Sequence, residues 1–135
     1  MKKIIIAILA ILLTSSLMAA DTTAQAKLAS DMRTMLSAVV DIQRAGFYDN
    51  AHGMKKATQR LIESLDSLLT TDPTTYLPDT KTDASRFAKK REKMIKMYAE
   101  DLLVSMEAGD MNEALEDYNQ ILRQCSSCHL RIRKK

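Results

Sequence analysis

Apolar residues recur along this chain at alternating spacings of three and four, the period of an amphipathic helix. Leu28, Met32, Met35, Val39 and Ile42 form one such stripe and predict a helix from about Thr23 to Ala45, with Gly46 suited to its C-terminal cap. Asp49 or Asn50 is a good N-cap for a second helix, whose inner line would be Met54, Ala57, Leu61, Leu65 and Leu68. Residues 70–82 are rich in Thr and Asp, hold Pro73 and Pro78, and read as the one long connection. A third helix starts near Asp83, carries Phe87, Met94, Tyr98, Leu102 and Met106, and stops at Gly109. Asp110, with Glu113 three residues on, forms a capping box for a fourth. Its face reads Leu115, Tyr118, Leu122, Cys125, His129 and Ile132, and Cys128 joins it because i and i+3 are neighbours on a helix. Alternating β-branched runs and Asn-Gly hairpins are missing. The pattern predicts an all-α fold: an antiparallel four-helix bundle with short first and last turns and a longer central loop.

The N-terminus follows a different rule. Met1-Lys2-Lys3 is a short positive segment, Ile4 to Leu13 is unbroken apolar sequence, and Thr14 to Ala20 is a stretch of small and more polar residues. That order predicts a secretory signal peptide over residues 1–20, cleaved after Ala19 or Ala20, and a single domain over 21–135. The apolar run is short for a bilayer span, so no stable membrane insertion is expected once the leader is removed. Lys2 and Lys3 leave with it, so the 20 basic residues of the full chain fall to near balance with its 17 acidic ones. The net charge of +3 for the full chain therefore says little about partners, and no basic tract interleaved with aromatics points to nucleic acid.

The chemistry lies near the C-terminus. Cys125-Ser126-Ser127-Cys128-His129 contains both cysteines of the chain and one of its two histidines. Cys-x-x-Cys-His is the attachment pattern of a c-type haem: two thiols add to the two vinyl groups of one porphyrin, and the next imidazole becomes an axial iron ligand. Other chemistries fit less well. A disulfide between Cys125 and Cys128 would be strained on a helix. A zinc site would need a fourth ligand from distant His52 or a carboxylate. A thioredoxin-like pair would need a βαβ pattern, which is absent. The leader agrees with the haem reading, because covalent haem attachment in bacteria takes place outside the cytoplasmic membrane. Periplasm is the expected compartment.

A secreted four-helix bundle with its Cys-x-x-Cys-His near the C-terminus resembles the cytochrome c-prime family, including its low-spin relatives. Glu107-Ala108-Gly109-Asp110 stands where that family has an Ala-x-x-Gly-Asp-like turn, and Arg133 matches the arginine that follows its motif, whereas Ile132 replaces the usual aromatic. The resemblance implies one haem c, and hence iron, per chain. Cys125 and Cys128 would be its thioether anchors and His129 its proximal ligand, buried among the helices. Arg133, Met35 and Phe87 would border the haem. In the family a residue of the first helix covers the distal face. Met32 falls best at that position, with Met35 one turn below and His52 a rival by chemistry alone. A coordinate set in which the fourth helix leaves His129 unburied would run against both the periodicity and the resemblance.

Two functions follow. A thioether at the sixth site gives a periplasmic electron carrier with His/Met ligation, whereas an apolar distal side gives a five-coordinate haem that binds nitric oxide or carbon monoxide. A docking module of a larger redox complex is a third reading. No nucleophile–base pair, paired carboxylates or phosphate loop is apparent, so an enzyme is not expected. A periplasmic redox protein is the expected partner. The basic residues Arg123, Arg131, Arg133, Lys134 and Lys135 near the motif suit an acidic one, and the resemblance adds a homodimer through the first two helices.

Overall fold

The computed structural model describes the backbone over residues 2–75, 77 and 82–132, and side chains at 23, 25–75, 77 and 83–131. Four helices follow one another: α1 (Lys2–Phe47), α2 (Ala51–Leu69), α3 (Thr82–Glu107) and α4 (Met111–Ile132), with a 3-10 turn at Pro73–Thr75. No strand occurs among the described residues. This is the four-helix architecture that the periodicity predicts. The expected leader, residues 1–20, lies outside the described side chains. The helix of α1 begins well before Thr23, as expected of a chain with no Gly or Pro to break it before Gly46. Among the described residues, no helix is long and apolar enough to cross a membrane.

The short turns are built by polar side chains on free backbone groups. Asn50 caps α2 by accepting a 2.9 Å hydrogen bond from the Gly53 amide. Asp110 caps α4 by accepting one from the Glu113 amide at 3.0 Å. Gly109 ends α3 at φ +74°, and the Asp110 amide closes the cap onto the Ser105 carbonyl at 2.9 Å. The first turn differs from its sequence reading. Gly46 lies within α1, and Asp49 takes the left-handed position at φ 49° while the Asn50 amide reaches the Ala45 carbonyl. Aspartate tolerates that conformation better than most side chains, so the cap forms three residues later than the glycine suggests.

Cross-helix ion pairs set the antiparallel register. Arg60 meets Asp41 between α1 and α2, while Lys96 with Asp66 and Lys55 with Glu107 join α2 to α3. Exposed pairs of this kind contribute about 0–1 kcal/mol each, so they align helices more than they stabilise them. Stability comes from the core: Ile42, Leu61, Leu65, Leu102 and Ile121 are fully buried, with Val39, Met54, Ile95 and Tyr118 around them. All five inner positions predicted for α2 are buried, and the α1 stripe runs from half-buried Leu28, Met32 and Met35 to buried Val39 and Ile42.

The inner faces of α3 and α4 are rotated from the predicted ones. On α3 the buried line is Ala84, Ala88, Ile95, Ala99, Leu102 and Ser105, while Phe87, Met94 and Tyr98 sit half-buried on its flank. On α4 it is Ala114, Asp117, Tyr118, Ile121 and Gln124, and Leu115 is 56% exposed. The cause is steric. α3 packs closely on both α2 and α4, and alanines on its inner line permit the approach that bulkier side chains would prevent.

Asp117 is the buried charge with the clearest consequence. Desolvation raises its pKa above the usual 3.8, although the Ser105 hydroxyl donates to it at 3.1 Å, and Asp101, Glu113 and Glu116 raise it further. The native state therefore holds this proton longer than the unfolded chain does, so stability falls as pH rises above about 4. Asp117→Asn is expected to stabilise the protein at pH 7, and the gain should vanish below pH 4. Denaturant melts at both pH values check this. A variant less stable at pH 7 would show that the charge is compensated.

Candidate haem-attachment site

Cys125 and Cys128 stand one turn apart in the last third of α4, both half-buried and both free thiols. Burial pushes the Cys125 thiol up to about 11, with Cys128 adding to the effect. Cys128 is raised as well, chiefly by desolvation and then by the carboxylate of Glu92, while Arg91 acts in the opposite sense. Both sulfurs are therefore protonated thiols at neutral pH.

Glu92 and Arg91 beside the thiols were not singled out from the sequence, and Arg131 was read there only as part of a basic tail. Glu92, 4% exposed, occupies a core position of α3 beside Cys128. Arg91 donates a short hydrogen bond to the buried Gln124 side chain, tying α3 to α4 one residue before Cys125. Arg131 lies with its guanidinium 4.3 Å from the centre of the Phe87 ring, and Arg91 lies 4.8 Å from it. Glu92 was legible as a polar residue at helical spacing between Ala88 and Ile95. The arginines carry no comparable signal, since charges on helices usually face solvent.

His129 is exposed. The sequence reading turns it inward, and the structure corrects that. The line of α4 through Ala114, Ile121 and the half-buried Cys128 faces α3, whereas His129, three turns after Tyr118, lies on the side toward α1, where the two backbones do not approach closely among the described residues. The burial among the helices that the cytochrome c-prime resemblance implies for His129 is thus not found. Phe87 sits between arginines at the α3–α4 contact. His52 is exposed in the first turn of α2, at the end where Lys55 meets Glu107. Arg91, the α3 neighbour of Cys128, lies sixteen residues before Glu107, about 24 Å along the helix, which removes His52 from this site. Arg133, with Lys134 and Lys135, lies outside the described residues.

The bundle is open on one side. Among the described residues no Cα of α1 lies within 8 Å of one of α4, although the core joins them. The Tyr118 hydroxyl donates across this seam to the Val39 carbonyl at 3.4 Å. Counting along antiparallel helices from that bond brings Met35 level with Leu122, Met32 with Cys125 and Leu28 with His129. All three α1 residues are half-buried. The thiols, the imidazole and this seam of apolar side chains fit a haem in donor chemistry and in access. For other metals, no group of three His, Cys, Asp or Glu side chains converges among the described residues.

No protein-family profile, curated protein or solved structure matches this chain.

The two thiols should differ in reactivity. In haem-free chain alkylated at pH 8, Cys125 is expected to react more slowly than Cys128, being the more strongly buried, and peptide mapping of the adducts checks the order. Equal rates at the level of a free peptide would mean that α4 does not pack this way without a cofactor.

Proposed function

We propose that this protein is a periplasmic c-type cytochrome that carries single electrons through one covalently bound haem c. The observation that carries the reading is the Cys125-x-x-Cys128-His129 pattern on one helix, with the two sulfurs not joined to each other and Cys125 beside an open apolar seam. Bound haem would supply reversible one-electron chemistry at iron. The chain would supply the rest. Cys125 and Cys128 would hold the haem through thioether bonds, each thiol adding its sulfur to one vinyl carbon and its proton to the other, so that no oxidant is consumed. His129 would supply one iron ligand. Met32, level with Cys125 and half-buried, would supply a thioether as the other, which raises the reduction potential relative to a second imidazole. Met35 packs one turn away. Arg133 and Phe87 border the site, and a redox protein of the same compartment is the partner. The exposed row Leu36, Val40 and Phe47 on α1 offers a surface for a homodimer.

One observation favours a second reading. The same register puts Leu28 opposite His129, and an apolar residue over the iron would leave it five-coordinate and open to nitric oxide or carbon monoxide.

Spectroscopy separates them. With Met32 bound, the oxidised protein is low-spin with the weak sulfur-to-iron band at the red end of the visible spectrum. Met32→Ala is then expected to convert it to high spin, lower its potential and admit carbon monoxide when reduced, whereas Met35→Ala leaves the spin state unchanged. A high-spin wild type would reject the Met32 ligand and select the gas-binding reading.

Attachment has its own test. Cys125→Ser or Cys128→Ser is expected to leave one thioether or none and to cut the yield of holoprotein sharply. A full yield of covalently bound haem in either variant would mean that the other thiol alone suffices.

A further inference from the structure

Charge is distributed unevenly along the α3–α4 hairpin. In the first sixteen residues of α3, Arg86, Lys89, Lys90, Arg91, Lys93 and Lys96 outnumber Asp83 and Glu92, whereas the remainder of α3 carries Glu100, Asp101 and Glu107 with no basic residue. α4 repeats the division in reverse: Asp110, Glu113, Glu116 and Asp117 lie at its start, Arg123 and Arg131 near its end. Because the helices are antiparallel, both basic halves fall at the level of Cys125 and Cys128. The opposite end of the hairpin is acidic.

The basic face is built on a groove along α3, where Arg86, Lys89, Lys90 and Lys93 surround half-buried Met94 and Met97, the latter 45% exposed. Lys90 and Lys93 have no ion-pair partner among the described residues, and Lys89 acts on Asp72 only through space. Arg131 extends the positive field onto α4 beside Phe87.

We infer that this face, centred on Lys89, Lys90 and Lys93 of α3, is the docking surface for an acidic partner protein that exchanges electrons with the cofactor held by α4. The inference rests on the haem reading above and places the acidic partner on α3 rather than on the C-terminal tail. The potential of a single-sign cluster reaches about 10 Å into solvent at moderate salt, and one helix diameter separates the row from the motif-bearing helix. A small patch of charge with one exposed methionine suits a transient contact that is steered electrostatically and released quickly. An anionic membrane is a poorer occupant. A helix that lies in an interface needs a broad apolar face, whereas Ala88, Ile95, Ala99 and Leu102 of α3 are in the core and, among the described residues, Met97 is the one exposed apolar side chain beside the lysines.

The test uses purified holoprotein, reduced and mixed in a stopped-flow instrument with an acidic blue-copper protein, with hexacyanoferrate(III), or with the cationic tris(phenanthroline)cobalt(III) ion. Oxidation by the two anionic oxidants is expected to slow by roughly ten-fold between low and physiological salt, and oxidation by the cation to quicken. Lys89→Glu/Lys90→Glu/Lys93→Glu is expected to lose roughly ten-fold with the copper protein at low salt and to invert the salt dependence. Asp101→Lys/Glu116→Lys, at the acidic end, should stay near wild type. Circular dichroism, haem content and potential verify that each variant is intact. A protein without a haem spectrum before mixing overturns the cytochrome reading and this inference with it. Haem present, with rates blind to probe charge and to the triple substitution, overturns this inference alone. Cosedimentation of such charge-blind protein with phosphatidylglycerol vesicles, lost in the triple variant, would assign the face to a membrane instead.

Discussion

The seam between α1 and α4 is the constraint on which the rest of the structure turns. Three helix pairs, α1–α2, α2–α3 and α3–α4, pack closely, and among the described residues the fourth side of the bundle does not close at the backbone. Tyr118 spans it, with a buried ring and a hydroxyl that reaches the Val39 carbonyl. A neutral hydrogen bond of this length contributes at most about 1 kcal/mol. Most of the tie is therefore the apolar contact of Tyr118 and Ile121 with Val39 and Ile42. Along α4 beyond Tyr118 come half-buried Leu122, Cys125 and Cys128, and then the exposed His129. Cys125 lies on the side of the bundle that opens, while Cys128 is turned toward Glu92 and Arg91 of α3.

The alanines of α3 explain how this arrangement is held. Ala88 and Ala99 let α3 sit close to both neighbours, so it acts as the spine of the bundle, while α1 is attached through α2. A cofactor inserted at the seam would then enter between the two neighbouring helices whose backbones stay apart among the described residues. The buried Glu92 and the Arg91–Gln124 bond stiffen the α3–α4 pair directly behind Cys128, which fixes one wall of such a site.

Helix number, the positions of Asn50, Gly109 and Asp110, and the inner line of α2 were legible in the sequence, because capping and a 3.6-residue period are local rules. The inner lines of α3 and α4 were not. Choosing the bulkiest residue in each turn selects Phe87, Met94, Tyr98 and Leu115, whereas the closely packed positions are held by alanines, whose burial depends on neighbouring helices. Cys125 and Cys128 are legible from their spacing alone, but whether His129 is covered depends on how closely α1 approaches α4, which no local rule sets. The α1 stripe offers both Met32 and Met35, the family resemblance favours Met32, and the level of Met32 with Cys125 emerges only from the Tyr118–Val39 bond.

The central claim is a covalent one, so mass is the most direct measurement. The protein should be produced with its own N-terminal sequence in a bacterium that has periplasmic haem-attachment machinery, extracted with acid and acetone, and weighed intact under denaturing conditions. The expected product is the chain without its first twenty residues or so, heavier by the mass of one haem, with both Cys125 and Cys128 unavailable to alkylation. A mature chain at its bare mass, with both thiols free to react, would contradict it.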